Sequence, residues 1–238
     1  IVGIGNYLFQ FLMARMLTIE DYGELQSLIA VFSIFGIPLA ALGAVLMRSA
    51  AGFKEEGNLG KVKALFSYFS KTVVIISTGL FLILLILNKS ILGFLNLSSS
   101  FPVIILGISL IPAFLSFVSK SVIQGLEKFK AVSAISIIET GFKIISAILL
   151  VTAGFKVGGA MLAFFVSGII SYLIGFIPLS FLLKEKEQKI QTKEIFQYFL
   201  LALFGISFLN LLFNLDIILV KHFLPSFSAG EYGGLALI

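Results

Sequence analysis

Glu139 and Lys143 stand four residues apart in an otherwise apolar run, which puts a carboxylate and an ammonium on one face of a helix. Asp216 interrupts another apolar run and is preceded by Asn210 and Asn214. Arg15, Arg48 and Lys221 each close an apolar stretch. Carboxylates in such settings can take up a proton or an alkali cation, so Glu139 and Asp216 are the candidate ion-coupling groups. Ammonium and guanidinium groups satisfy phosphate oxygens strongly, which makes Arg15, Arg48, Lys143 and Lys221 candidates for a cavity wall that binds an anion. Blander readings compete with these. Glu139 and Lys143 could neutralise each other, Asp216 could be held by packing alone, and the other cations could snorkel to an interface.

Enzyme chemistry finds little support. There is no Cys, and His222 is the single histidine, placed at a helix end, so neither a His-based metal site nor a triad is expected. Gly52 and Gly57 have the spacing of a phosphate loop, but Asn58 follows where that loop needs Lys. Asn88-Lys89-Ser90 and Asn96-Leu97-Ser98 have the form of glycosylation sequons, a form that turns produce by composition alone. No cofactor and no metal are implied, and the chain reads as something other than an enzyme.

The elements that must position these groups are membrane helices. With 59% hydrophobic and 12% charged residues and a mean hydropathy of +1.12, the chain departs from soluble domains, of which about 25% is charged. Its apolar blocks do not alternate as barrel strands would, and a helix crosses the hydrocarbon core in about 20 residues. The spacing predicts spans over about 1–17, 24–47, 72–87, 101–119, 131–153, 160–183 and 195–220, with an eighth beginning before Ile238. Pro38 and Pro112 fall inside the second and fourth. Residues 49–71 read as a polar loop holding a short interfacial helix, 90–100 as a turn, 120–130 as a basic connection, and 184–193 as a solvated loop. Twelve cations fall in the even connections and four (Arg15, Lys89, Lys156 and Lys221) in the odd ones. That bias places the even connections in the cytoplasm. Net charge +5 is therefore no sign of nucleic acid.

The end of the sequence repeats its beginning. Gln10 precedes Arg15 by five residues, as Asp216 precedes Lys221, and an acid-Tyr-Gly triplet follows each: Asp21-Tyr22-Gly23 and Glu231-Tyr232-Gly233. Spans one and seven are an even number of crossings apart, so the repeat relates halves about an axis along the membrane normal. The chain then reads as a piece of about twelve or more spans: residues 1–193 the N-terminal lobe, 194–238 the start of a second.

The stretches Ala14-Arg15-Met16-Leu17-Thr18-Ile19-Glu20-Asp21-Tyr22-Gly23, Gln124-Gly125-Leu126-Glu127-Lys128-Phe129-Lys130 and Val220-Lys221-His222-Phe223-Leu224, with Gly230-Glu231-Tyr232-Gly233, resemble polysaccharide flippases. These are the Wzx-like transporters of the multidrug/oligosaccharidyl-lipid/polysaccharide (MOP) exporter superfamily. The resemblance implies an all-α, MATE-like bundle of two six-helix lobes around a central cavity. It implies alternating access that carries a lipid-diphosphate-linked glycan from the inner to the outer leaflet of the cell membrane, with H+ or Na+ as possible coupling ions. A multidrug or peptidoglycan-precursor exporter of the same superfamily is the alternative, and a membrane-embedded glycan-processing enzyme a more distant one.

Overall fold

The computed structural model describes residues 2–95, 97–193, 195–205 and 208, and every regular element among them is helical. In chain order these are α1 (Val2–Met16), α2 (Ile19–Glu55), α3 (Leu59–Ile86), α4 (Asn88–Leu95), α5 (Phe101–Gly125) and α6 (Phe129–Leu150). A π turn (Val151–Phe155), α7 (Lys156–Phe176), a 3-10 segment (Ile177–Lys184) and a short apolar helix α8 (Ile195–Gly205) follow. Among the described residues four stretches are long and apolar enough to cross a membrane: Ile19–Glu55, Leu59–Ile86, Phe101–Gly125 and Phe129–Lys184. The last is two legs, α6 and α7, folded back at Gly154, whose φ of +93° suits a residue without Cβ. The chain is a multi-pass, all-helical membrane protein.

Contacts fix the helix directions. The pairs Phe101–Gly158, Pro112–Gly168, Ser116–Ser171 and Ser119–Gly175 advance together along α5 and α7, so those helices run parallel. Gly43 against Phe117 and Gly125 against Met47 make α2 parallel to α5. Ser171 meets Glu139 while Gly159 meets Leu150, so α6 runs antiparallel to α7. Small residues carry these crossings, as expected where lipid removes the hydrophobic drive for helix association and close packing must replace it. Gly168 lies on Pro112 and Ala113, Gly175 on Ser119, and Gly125 on the Met47 carbonyl.

The connections alternate between the two ends of the bundle. Leu17–Thr18, the segment after α4 and the Gly154 turn share one end, where Ser98 N donates to Glu24 Oε1 at 2.8 Å and Lys156 stands 3.7 Å from Asp21. The turns at 56–58 and 126–128 share the other with residues 184–190; this basic end carries Lys54, Lys61, Lys63, Lys128 and Lys130.

Three expectations about the connections are corrected by the helix bounds. Residues 49–71 form no loop: α2 runs to Glu55 and α3 starts at Leu59. At 37 residues α2 is about 55 Å long against a hydrocarbon core of about 30 Å, so polar residues continue the helix outside the membrane. The connection over 120–130 shrinks to Leu126–Lys128, and Lys120 belongs to α5; the turn over 90–100 is partly helix α4. Residues 184–193 are largely exposed, as expected of a solvated loop, but the segment that leads into them is tethered. Lys63 Nζ donates to the carbonyls of Leu183 (3.1 Å) and Glu185 (2.7 Å), and Lys128 Nζ to that of Pro178 (2.7 Å). Gln188 N donates to the Gly60 carbonyl at 3.3 Å, and Asn58 Nδ2 to Gln188 Oε1 at 2.8 Å. The segment 177–190 is thus a strap across the basic ends of both hairpins. Most of the expected seventh span, with Asp216, Lys221 and the second acid-Tyr-Gly triplet, lies outside the described residues.

Candidate functional site

The apolar core of the bundle contains several buried hydroxyls, on α3, α5, α6 and α7. Ser77, Ser109, Ser119, Ser121 and Thr140 return their hydrogens to the carbonyl four residues back in their own helices, the local solution a hydroxyl finds in lipid. Ser116 and Ser171 do otherwise. Ser171 Oγ donates to Glu139 Oε2 at 2.9 Å and shares a 2.5 Å hydrogen bond with Ser116 Oγ; because its own hydrogen is directed to the carboxylate, Ser116 is the donor. Lys120 Nζ donates to the same Glu139 oxygen at 2.7 Å. Three helices therefore converge on one carboxylate: α5 with Lys120, α6 with Glu139 and α7 with Ser171. Glu139 lies ten residues into α6, about 15 Å along the helix from its basic end and midway along its length.

Lys143 sits one turn further along α6 and makes no ion pair with Glu139. Its ammonium donates to Asn6 Oδ1 of α1 at 2.6 Å and stands 5.1 Å from the ring centroids of both Phe9 and Phe164. Those rings meet edge to face at 5.5 Å, with Phe32 5.6 Å from Phe164. An amide oxygen and two ring faces attract a cation without cancelling its charge. The intrahelical pair that the four-residue spacing allows does not form; Lys120 and Ser171 both bind Oε2, which holds the carboxylate toward α5 and α7 and offsets its charge.

The other candidates lie apart. Arg15 is exposed near the end of α1, its guanidinium 5.2 Å from the Phe11 ring on its own helix. Arg48, also exposed, is stacked 4.1 Å from the Tyr198 ring of α8 and donates to the Tyr198 hydroxyl at 3.3 Å. Arg15, Arg48 and Lys143 are thus not gathered into one constellation, and Lys221 and Asp216 fall outside the described residues. Sequence reasoning missed Lys120, Ser116, Ser171 and Asn6 as partners. Pro112, Ser116 and Ser119 on one helix, and Gly168, Ser171 and Gly175 on the other, recur at helical spacing, and that repeat is the signal by which the seam between α5 and α7 could have been found. A separate groove of about 410 Å³ lies between α2 and α4, lined by Val31, Leu87, Ile91, Phe94, Leu95 and Ser90. It is apolar and far from the charges in chemistry. Among the described residues no three His, Cys, Asp or Glu side chains could hold a metal ion.

Residues 1–236 match the family model described as "Polysaccharide biosynthesis protein". Neither the curated proteins nor the solved structures gave a match.

Proposed function

Because the chain belongs to the polysaccharide biosynthesis protein family, we propose that it moves a lipid-linked oligosaccharide or polysaccharide precursor from the inner to the outer leaflet by alternating access. The observation that carries the reading is the charged cluster inside the helix bundle, midway along α6: Lys120, Glu139 and Lys143 on two helices, tied to α1 and α7. Charges at the centre of a span cost about 2.5–3.5 kcal/mol each on insertion scales, and a matched apolar replacement of a buried pair is often neutral or stabilising. Stability alone gives no reason to keep three. Two cations against one carboxylate leave the cluster with an excess positive charge, which suits the diphosphate of a lipid carrier rather than a cationic drug.

In this reading Lys143 meets the diphosphate, with Arg15, Arg48 and Lys221 as further cations along its path. Glu139 and Asp216 are the groups through which H+ or Na+ would couple. The basic end faces the cytoplasm and the protein resides in the cell membrane. Residues 1–193 form the first lobe of a MATE-like pair, and 194–238 begin the second. The test is the double replacement Glu139→Gln with Lys143→Gln in the full-length protein. Export of the glycan should fall at least about tenfold at unchanged membrane levels; export at the parent rate would refute the site.

A further inference from the structure

Two cations compete for one carboxylate in the middle of this bundle. Glu139 Oε2 receives Lys120 at 2.7 Å and Ser171 at 2.9 Å, while Lys143, on the same helix as Glu139, is seated against the neutral Asn6 at 2.6 Å. Glu four residues before Lys is the order in which a helical ion pair forms most readily. Its absence here needs a cause, and the geometry supplies one from each neighbouring helix. Lys120 reaches the carboxylate from α5 and Ser171 from α7, and α1 offers Lys143 an alternative seat in Asn6 and Phe9. That seat holds the ammonium without a counter-charge of its own, and Asn6 on the α1 side is exposed.

We propose that Lys120 is a positioning residue: by neutralising Glu139 and holding its carboxylate toward α5 it keeps Lys143 unpaired, and so sets the site to accept an anionic, diphosphate-bearing headgroup. The inference rests on the reading of Lys143 as the group that meets the cargo. Without Lys120, Glu139 takes Lys143 from Asn6, and an incoming diphosphate meets a neutral pair. A lysine that never touches the cargo thereby decides its charge class.

The experiment is isothermal titration of farnesyl diphosphate into the full-length protein in lipid nanodiscs. Farnesol and inorganic diphosphate serve as comparators that separate the contributions of chain and headgroup. Lys143→Gln should weaken farnesyl diphosphate binding about tenfold or more, and Lys120→Gln should do the same although Lys143 is intact. The double variant Lys120→Gln with Glu139→Gln should return to within about threefold of the parent, because no carboxylate is left to capture Lys143. Glu139→Gln alone, which keeps both lysines, should bind as tightly as the parent or more tightly. Farnesol should be indifferent to all four changes. Parent-like binding by Lys120→Gln beside a defective Lys143→Gln would overturn the positioning role and leave the cargo reading standing. A double variant as weak as Lys120→Gln would reduce Lys120 to a structural part. An unaffected Lys143→Gln, or free inorganic diphosphate binding as well as the farnesyl form, would overturn the cargo reading itself.

Discussion

In the hairpin α2–α3 the chain turns through Glu56-Gly57-Asn58; 70 residues later α5–α6 turns through Leu126-Glu127-Lys128 with the same hydrogen bonds. Gly57 N donates to the Lys54 carbonyl and Glu127 N to that of Gln124, both at 2.9 Å; Asn58 N reaches Phe53 and Lys128 N reaches Ile123. The third link recurs too, Lys61 N to Asn58 at 3.1 Å and Ala131 N to Lys128 at 3.0 Å. What the hairpins carry into the membrane differs. At the same offset Lys120, Glu139 and Lys143 fall on Ala50, Phe69 and Val73, of which Ala50 and Val73 are fully buried. The first hairpin therefore demonstrates that this turn and its flanking helices are built without charge at these positions. The charges of the second answer to something other than the hairpin.

The sharpest way to break the equivalence is at Gly125, which abuts the Met47 carbonyl; a side chain there would begin 2.7 Å from the Ala50 Cβ. Its counterpart Glu55 is exposed. Gly125→Leu should cost about 3 kcal/mol, the upper end for overpacking, since a carbonyl cannot rotate aside; Glu55→Leu should stay within about 0.5 kcal/mol. Thermal unfolding in detergent measures both, and equal shifts would mean that α2 and α5 do not cross where described.

A smaller effect separates the two turn centres. Gly57 has φ +69° and Glu127 φ +61°, a conformation disfavoured by about 1–2 kcal/mol for residues with Cβ. Gly57→Ala should lower stability by about 1 kcal/mol. Glu127→Gly should be nearly neutral, because relief of the backbone is opposed by loss of the ion pair with Lys54. A larger loss at Glu127 than at Gly57 would invert the comparison.

The least effect is a titration. The Lys54 ammonium, hydrogen bonded to Glu127 in the turn, holds its carboxyl below the ordinary 4.5. A depressed folded-state value means the contact stabilises above about 4.5 and is lost as pH falls through the lower folded value. The carboxyl-carbon NMR shift of Glu127 should show a midpoint under 4.5 that rises in Lys54→Met. An unmoved midpoint would separate the pair.

Much of this was legible in the sequence, for physical reasons that also mark where legibility stopped. Long charge-free blocks reveal helices because lipid forbids unsatisfied backbone, and the alternation of basic connections located the shared end before any contact was known. Helix ends outside the membrane escaped, since Lys61 and Lys63 are compatible with helix or loop and only Gly57 and the Asn58 cap decide. Spacing gave Glu139 and Lys143 a common face but carried no record of Lys120, 19 residues earlier and on another helix. Pairing across helices is set by crossing points, which a single helix's periodicity does not contain.

The strap gives the molecule an order of manufacture. Its bonds join Lys63 to Glu185 and Asn58 to Gln188, so they cannot form until some 130 residues have been added after α3 begins. At about 5–20 residues per second that is roughly 6–26 s of synthesis, during which the first hairpin waits in the bilayer with Gly60 uncovered. Closure of the strap then records that α3, α6 and α7 have all arrived in register. Nascent chains stalled before and after residue 190 should differ in the reactivity of a cysteine placed at Asn58, falling only in the longer chain.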